Sequence, residues 1–200
     1  QAQPLFSLLS KKKSGINFVN EVRDEKTRNI LLYSNYYGGA GVGVGDFNRD
    51  GLPDLFFAGN LSADRLYLNE GELHFKDITK KAGIEDNGGW SSGVVVADVN
   101  QDGWPDIFVT RELYDDKPEL RKNKLYINNG DLTFTESAEA YGLEDDERTR
   151  HATFFDYDKD GDLDAFLLNQ PPNPGNYSEL NGIDLLQEQW SPRLYRNNGP

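Results

Sequence analysis

The sequence has no cysteine among its 200 residues. Disulfide bonds, thiolate chemistry and zinc-thiolate sites are therefore excluded, and cysteine usage does not indicate a redox compartment. No apolar run approaches the ~20 residues that span a bilayer, and residues Gln1 to Pro4 do not begin a charged-then-apolar signal sequence. We therefore predict a mature, processed chain without a transmembrane segment.

Basic residues are scarce relative to acidic ones, with 21 Lys and Arg against 34 Asp and Glu, and the formal net charge is -13. A chain of this charge repels a phosphate backbone and suits bound cations. Nucleic acid is therefore not an expected partner.

Three blocks of similar sequence follow one another along the chain. Each begins its acidic motif with an aspartate, at Asp46, Asp98 and Asp156. The steps between these aspartates lie slightly above the ~40 to 50 residues of known propeller blades. The first two blocks each contain four short β-branched or aromatic runs separated by Gly, Asn and Asp, and the third block lacks the last of these runs. We predict an all-β fold, a β-propeller of four-stranded antiparallel blades, with a meandering β-sandwich as the alternative.

The first block shows the expected strands most clearly, at Val42 to Val44, Leu55 to Phe57, Leu66 to Leu68 and His74 to Ile78. The run from Gly41 to Gly45 is almost entirely small or apolar, which is typical of a crowded central strand. We predict one blade at residues 39–79, a second at 91–137 and an incomplete third at 150–200. With about three blades, the chain is expected to be a partial propeller or a fragment.

The segment before the first blade is divided into a tether at residues 1–14 and an outer strand near residues 15–22. The strand is predicted because Phe18, Phe75 and Phe134 are almost evenly spaced along the chain. Such a strand would allow a ring to be closed by strands from both chain ends.

Each block contains one loop of the form Asp-x-Asp/Asn-x-Asp-Gly-x-x-Asp. Side chains at positions 1, 3, 5 and 9 can converge on one hard cation, and position 7 can contribute its backbone carbonyl. One such loop could be a solvated turn, but clustered carboxylates repel one another, and three copies predict three Ca²⁺ sites. The candidate ligands are Asp46, Asn48, Asp50, Leu52 and Asp54; Asp98, Asn100, Asp102, Trp104 and Asp106; and Asp156, Asp158, Asp160, Asp162 and Asp164.

An EF-hand is the competing interpretation of these loops. It requires a glutamate at position 12 and a helix on each side. Position 12 is Phe57, Val109 and Leu167, and all three lie inside predicted strands. The loops are therefore predicted to be structural, each joining the first and second strands of a blade, with glycine at position 6 permitting the sharp turn.

These motifs resemble the FG-GAP or VCBS repeat family of calcium-binding β-propellers, the type seen in integrin α-subunit heads. More narrowly, Leu5 to Leu9, Ser14 to Phe18 and Asn123 to Gly130 resemble bacterial surface proteins related to cartilage acidic protein, which often carry an ASPIC/UnbV segment. The resemblance implies a secreted or cell-surface location, commonly the bacterial outer membrane with a lipid anchor upstream of Gln1. It also implies binding rather than catalysis.

The face opposite the acidic loops is the predicted binding face. The connection from the last motif aspartate to the third-strand leucine becomes longer from the first block to the third, and exposed loops of varied length commonly carry binding sites. The expected ligand is a protein or a glycan, or an outer-membrane transporter or secretion complex. Candidate contacts in the connections between blades are Tyr36, Tyr37, Trp90, Arg148, Arg150 and His151. Packing between blades is the alternative role for these residues.

We predict that the protein is not an enzyme. Its two histidines are His74 and His151, and no nucleophile motif accompanies them. The alternative is a fragment of a polysaccharide-active lyase or hydrolase. Residues 171–176 are predicted to form an irregular loop and residues 180–190 a short helix, either as a partner contact or as a disordered insertion.

Overall fold

The computed structural model describes residues 4–33, 35–85, 87–171 and 191–199. The predicted helix at 180–190 and most of the loop at 171–176 lie outside these residues. A single helical turn, α1 (Lys11–Ser14), precedes the strands. The strands are β1 (Val42–Gly45), β2 (Asp54–Phe57), β3 (Arg65–Asn69), β4 (Phe75–Asp77), β5 (Trp90–Ala97), β6 (Asp106–Glu112), β7 (Lys124–Asn128), β8 (Phe134–Glu136), β9 (Thr149–Phe155), β10 (Asp164–Asn169) and β11 (Arg193–Tyr195).

The strands form three consecutive antiparallel sheets. The first has the order β1-β2-β3-β4, the second β5-β6-β7-β8, and the third β9-β10-β11 among the described residues. Neighbouring strands are joined in chain order, so each sheet is a meander. The predicted all-β fold with four-stranded antiparallel blades is confirmed, and the strands of the first block lie where the sequence places them.

The sheets stack face to face, and the second sheet is buried on both sides. Its leading face, which is turned toward the first sheet, carries Ile107, Val109 and Tyr126 in a core with Phe56 and Leu66. Its trailing face, turned toward the third sheet, carries Phe108 and Leu125 in a core with Ala152, Ala165 and Leu167. Because adjacent strand residues point to opposite faces, burial on both sides explains why Ile107, Phe108 and Val109 of β6 are three consecutive apolar residues.

The first strand of each sheet is the innermost one, since β5 contacts both β1 and β9. These strands approach closely. A Cβ atom added at Gly41 would lie 2.6 Å from the backbone nitrogen of Val94, and one added at Gly43 would lie 2.7 Å from the Val94 side chain. The prediction of a crowded central strand is therefore confirmed.

The predicted outer strand near residues 15–22 is wrong, because no residue of this segment lies in a strand. Gly15 instead ends α1 with a φ of 74°. The turn resembles the one after β4, where Gly83 has a φ of 73°. Gly15 packs against the backbone of Phe75 just as Gly83 packs against that of Phe134. The segment therefore corresponds to a turn that follows a fourth strand, and the 1–14 tether includes a helical turn.

Candidate functional site

The three acidic loops connect the first and second strands of their sheets, as predicted. In each loop two residues adopt left-handed backbone conformations. At position 4, Arg49, Gln101 and Lys159 have φ values of 57°, 59° and 64°. At position 6, the three glycines have φ values of 87°, 89° and 101°. The glycine at position 6 therefore serves the sharp turn that the sequence predicts.

The position 1 carboxylate is held by the backbone of its own loop. Asp46 accepts N–H groups from Asp50 at 3.0 Å and from Gly51 at 2.8 Å. Asp98 accepts the equivalent pair at 3.1 and 2.8 Å. In the third loop Asp156 accepts the Gly161 N–H at 3.1 Å. These bonds turn the carboxylates toward the inside of the loop.

The position 9 aspartates, Asp54, Asp106 and Asp164, are buried and bond in the same way in all three loops. One oxygen accepts the N–H of the residue at position 2, at 2.9 to 3.0 Å. The other accepts the N–H of an asparagine at the end of the third strand, at 2.8 to 2.9 Å. Position 9 therefore ties each loop to the third strand, which is a role beyond the predicted one.

The asparagines that meet position 9 are Asn69, Asn128 and Asn197, and the sequence analysis did not identify them. Each side-chain amide donates to the carbonyl at position 8 of the loop, at 2.9 to 3.3 Å. Each side-chain oxygen accepts the N–H of the glycine two residues further along the chain. The signal was present as the repeated pattern Leu-Tyr-x-Asn-x-Gly.

The third loop brings together side chains that could share one hard cation. In the third loop Asp156, Asp158 and Asp164 each place one carboxylate oxygen within 4.8 Å of the others. Oxygens bound at 2.3 to 2.6 Å to one Ca²⁺ lie at most about 5 Å apart, so this cluster can share an ion. The donors are carboxylate, amide and carbonyl oxygens, which Ca²⁺ and Mg²⁺ prefer. Arg196 lies beside this loop, with its Nε 3.1 Å from Asp158, and partly offsets its negative charge.

In the first two loops asparagine occupies position 3. The Asn48 oxygen accepts the Asp50 N–H at 3.2 Å, and its amide donates to Asp50 at 2.8 Å. Asn100 and Asp102 repeat this pair. The backbone N–H at position 7, which belongs to Leu52, Trp104 or Asp162, donates in each loop to the carboxylate at position 5.

Adjacent loops touch each other through position 4. The Arg49 guanidinium lies 5.3 Å from the ring centre of Trp104 in the second loop. The Gln101 amide donates to the carbonyl of Gly161 in the third loop at 2.5 Å. The three loops therefore form one continuous surface along the stack of sheets.

Burial raises the pKa of Asp106 to about 6, although its two backbone N–H partners lower it. Unfolding returns the pKa to about 3.9, so the folded metal-free protein binds more protons between these values. The contribution of Asp106 to the free energy of unfolding should therefore be greatest below about pH 4 and should decrease as the pH rises to about 6. We expect the melting temperature in chelator to fall over this pH range in the wild type and to fall less in Asp106→Asn. An equal dependence of the melting temperature on pH in both proteins would contradict the prediction.

The structure corrects the predicted contacts on the opposite face. Tyr36 and Trp90 are 0% and 1% exposed, and their rings pack 5.1 Å apart in a core with Tyr33. Arg148 is also buried and pairs with Asp115. The burial of these three side chains favours their alternative role in packing over contact with a ligand.

The other three predicted residues of this face remain accessible. Tyr37 is exposed and donates its hydroxyl to Asp24 at 2.7 Å. Arg150 pairs at 2.5 Å with Glu112, which is completely buried. His151 is exposed on β9. The structure therefore leaves Tyr37, Arg150 and His151 as candidate contacts on this face.

A second group on this side, missed by the sequence analysis, surrounds a concavity of about 420 Å³. Arg28 lies over the ring of Tyr114 at 5.2 Å and donates to its hydroxyl at 2.7 Å. Leu113 and Tyr114 have positive φ values of 67° and 51°, which are uncommon outside glycine. Tyr114 belongs to the longer β6–β7 connection. The concavity is lined by Glu21, Arg23, Glu25, Arg28, Leu61, Ser62, Gly88, Gly89 and Tyr114.

None of the helices in the described part of the chain is long and apolar enough to cross a membrane. The model of the FG-GAP-like repeat matches residues 46–109 and 114–167. All three acidic loops lie completely within these segments.

Several curated proteins are similar in sequence. Cartilage acidic protein 1 of Xenopus tropicalis is 28% identical over 162 residues, which cover 76% of this chain and 24% of that protein. The Homo sapiens protein of the same name is 36% identical over 74 residues, or 37% of this chain and 11% of that protein. Integrin alpha-8 of Gallus gallus is 33% identical over 108 residues, which cover 47% of this chain and 10% of that protein. The chain thus spans a quarter or less of these relatives, and because the repeat model matches more than half of it, the chain belongs to the FG-GAP-like repeat family.

Proposed function

We propose that this chain is a non-catalytic, calcium-stabilised binding module. The observation that carries the proposal is the same hydrogen-bond arrangement in all three acidic loops, including a buried aspartate at position 9. Three independent loops would not maintain one arrangement of clustered carboxylates without a shared requirement, and a bound cation supplies it.

In this proposal each loop holds one Ca²⁺. The position 1, 3, 5 and 9 side chains and the position 7 carbonyl supply the oxygen ligands. The ion neutralises carboxylates that otherwise repel one another, and it joins the first two strands to the third strand through position 9. The sites are structural in this proposal, because the position 9 ligand ties each acidic loop to the third strand of the same sheet.

The proposed absence of catalysis is supported by the surroundings of the histidines and carboxylates. His74 lies on the outer edge of the first sheet with Glu70 at 3.4 Å, and His151 lies far from it on β9. The dense carboxylate clusters of the described residues belong to the acidic loops. The alternative, a fragment of a polysaccharide lyase or hydrolase, would require a reactive pair outside these loops.

The concavity beside Tyr114 is the proposed ligand site. Its lining includes Tyr114, two arginines, two glutamates and two glycines, and one side of the Tyr114 ring is covered by Arg28. Tyrosine rings stack on sugar faces and arginine forks bind polar groups, so a glycan or a polar segment of a protein suits this surface. The strained backbone at Leu113 and Tyr114 supports a functional role, because such strain is concentrated at binding sites.

We further propose an extracellular or cell-surface location. In such a location millimolar calcium would fill sites with dissociation constants of about 10⁻⁴ to 10⁻³ M. A bacterial outer-membrane lipoprotein, and association with a transporter or secretion complex, are proposals that rest on the sequence resemblance. The similarity to cartilage acidic protein 1 and integrin alpha-8 supports the location in its broader form.

Binding through the Tyr114 face can be tested on a glycan array, followed by titration calorimetry with the best glycan. We expect Tyr114→Ala to weaken binding about tenfold, because truncating an aromatic side chain that contacts a ligand costs about 1 to 2 kcal/mol and about 1.4 kcal/mol corresponds to a factor of ten. Because Tyr114 also packs against the core around Tyr36 and Trp90, the variant should melt at a somewhat lower temperature, and its binding is measured well below that temperature. Tyr157→Ala, which removes an exposed ring on the acidic-loop side, is the matched control.

Three outcomes separate the alternatives. Equal affinity of the Tyr114→Ala variant would reject the site. Binding to immobilised proteins but to no glycan, with the same sensitivity to Tyr114, would favour a protein ligand. Release of shorter sugars from a polysaccharide would contradict the non-catalytic proposal and support the enzyme alternative.

A further inference from the structure

A buried asparagine of the second sheet joins the first acidic loop to the second. Asn128 is the last residue of β7. Its backbone N–H donates to Asp106, the position 9 residue of the second loop, at 2.9 Å. Its side-chain amide donates at 2.9 Å to the carbonyl of Phe47, the position 2 residue of the first loop. One residue therefore holds a predicted calcium ligand of one loop and the backbone of the neighbouring loop.

The hydrogen bonds continue from Phe47 to the position 9 residue of the first loop. The Phe47 N–H donates to Asp54 at 2.9 Å. The Phe47 ring packs on Phe134 of the second sheet, with the ring centres 5.8 Å apart, and this contact holds Phe47 between the two sheets. All of these residues are buried. The two position 9 carboxylates are thus connected by a chain of buried residues, which we call the Asn128 bridge: Asp54, Phe47, Asn128 and Asp106.

Burial makes the Asn128 bridge restrictive. Hydrogen bonds that are shielded from water are electrostatically stronger, and a buried polar group that loses its partner is costly. Asp106 therefore cannot change its orientation without disturbing Asn128, and Phe47 cannot move without disturbing Asp54. A cation that fixes the Asp106 carboxylate would restrain the bridge as far as the carboxylate of the first loop.

The exposed side of the same two loops carries a second contact. Arg49, at position 4 of the first loop, lies 5.3 Å from the ring centre of Trp104 at position 7 of the second. A Cβ added at Gly103 would lie 3.1 Å from the Arg49 guanidinium, and one added at Gly130 would lie 3.0 Å from the Trp104 ring. The ring is therefore packed on Arg49 and on the turn that follows β7. Because the backbone carbonyl of Trp104 is a predicted calcium ligand, this contact also connects one site to the other.

The contact made by position 4 recurs between the second and third loops. There the Gln101 amide donates to the carbonyl of Gly161, which precedes Asp162 at position 7. The recurrence indicates that this contact belongs to the repeat. Between the first and second loops it is combined with the Asn128 bridge, so this pair of loops is connected on its buried side and on its exposed side.

Repulsion between two bound ions does not oppose this connection. Each of the two loops has three aspartates in its motif against the two positive charges of one Ca²⁺, so the ligand carboxylates of a filled loop still outweigh its ion. With Arg49 included, the filled first loop is neutral. An ion in one loop therefore leaves the neighbouring loop attractive to a second ion. The aspartates are Asp46, Asp50 and Asp54 in the first loop, and Asp98, Asp102 and Asp106 in the second.

We propose that the first and second loops bind Ca²⁺ with positive cooperativity, transmitted through the Asn128 bridge and through the contact between Arg49 and Trp104. The inference rests on the proposed calcium function. The first ion orders both connections, so the conformational entropy that the second ion would otherwise have to remove is already lost, and the second ion binds more tightly. Because coupling between two sites is reciprocal, either loop can be filled first.

The test is calcium titration calorimetry of the 200-residue chain, with the third loop inactivated by Asp160→Asn in every protein. Asp50→Asn then leaves the second site alone, and Asp102→Asn leaves the first site alone. The coupling factor is the overall association constant for two ions divided by the product of the two single-site association constants. We expect a coupling factor of about five, at the lower end of the usual range for coupled sites.

Asn128→Ala should reduce the coupling factor to about one, because it removes the hydrogen bond to Phe47. Asn69→Ala is the matched control. Asn69 occupies the same position in the first sheet, and its amide donates to the carbonyl of Pro53 within the first loop at 2.9 Å. The control should weaken the first site and leave the coupling factor at about five.

A pair of surface substitutions provides a second arm that leaves the buried asparagine in place. Arg49→Gln and Trp104→Leu each introduce the residue that the neighbouring loop has at the same position, which are Gln101 and Leu52. The left-handed backbone of position 4 accepts glutamine, since Gln101 has a φ of 59°. We expect this double variant to lower the coupling factor to about two.

The outcomes distinguish this inference from the proposed function. A protein that binds calcium at both sites with a coupling factor of about one would overturn the inference and leave the proposed function intact. A coupling factor that is unchanged in Asn128→Ala and in the double variant would also overturn the inference. If Asn128→Ala does not fold, the double variant alone decides. A wild-type chain that binds no calcium would overturn both proposals.

Discussion

Removal of calcium should lower the melting temperature of this protein by about 10 °C. A site whose ion is tenfold above its dissociation constant stabilises the fold by about 1.4 kcal/mol, so three sites contribute roughly 4 kcal/mol. In a chain of this size one kcal/mol shifts the midpoint by about 2 to 4 °C. The measurement is a thermal melt in 1 mM calcium against one in excess EGTA.

A triple variant provides the control for this melt. Its three substitutions each remove one charge from position 5, which is exposed in all three loops, and leave the buried position 9 aspartates intact. They are Asp50→Asn, Asp102→Asn and Asp160→Asn. The melting temperature of the triple variant should change little when chelator is added. A wild-type melt that moves by less than about 2 °C, after verified removal of the ion, would reject the calcium proposal. This melt does not test binding at the Tyr114 concavity, which is measured separately with Tyr114→Ala.

Replacing Gly41 by alanine should destabilise the protein by about 2 to 3 kcal/mol, the usual range for overpacking a tight core. The added Cβ would lie 2.6 Å from the backbone nitrogen of Val94 and 3.0 Å from the carbonyl carbon and the Cα of Gly93. These are backbone atoms of the next sheet, so they cannot rotate away as a side chain would. The measurement is equilibrium unfolding in urea.

Val42→Ala is the control for the glycine substitution, because it changes the next residue along the chain, whose side chain is exposed. We expect it to change the free energy of unfolding by less than about 1 kcal/mol. If Gly41→Ala is as stable as the wild type, the sheets do not approach as closely as the structure indicates, and the account of the inner strands is wrong.

The repeat and its strands were predictable because they depend on local pattern. The runs in the first block largely coincide with β1 to β4, and the acidic loops lie between the first and second strands of each sheet. The loop conformation itself is also local, since Asp46 bonds to residues four and five positions away. The nine-residue motif therefore contains most of the information that shapes a loop.

The prediction of an outer strand near residues 15–22 was wrong for a physical reason. The similar spacing of Phe18, Phe75 and Phe134 favoured an outer strand, but Phe18 instead stacks at 5.1 Å on Phe57. The shorter pattern Lys-Lys-Ser-Gly-Ile, which resembles Lys80 to Ile84, was the better guide. It encodes a turn through a glycine with positive φ, and backbone conformation is a more local property than the partner of an aromatic ring.

The sequence by itself determined the repeated sheets, the three acidic loops and the glycines that turn them, because these features arise from contacts within a few residues. Only the tertiary structure decided that Tyr36 and Trp90 are buried, that Asp106 ties its loop to Asn128, and that the concavity at Tyr114 lies on the opposite face. Those features depend on residues from different sheets, or on residues separated by an entire strand. Burial is a property of the stack of sheets, so no single repeat can specify it.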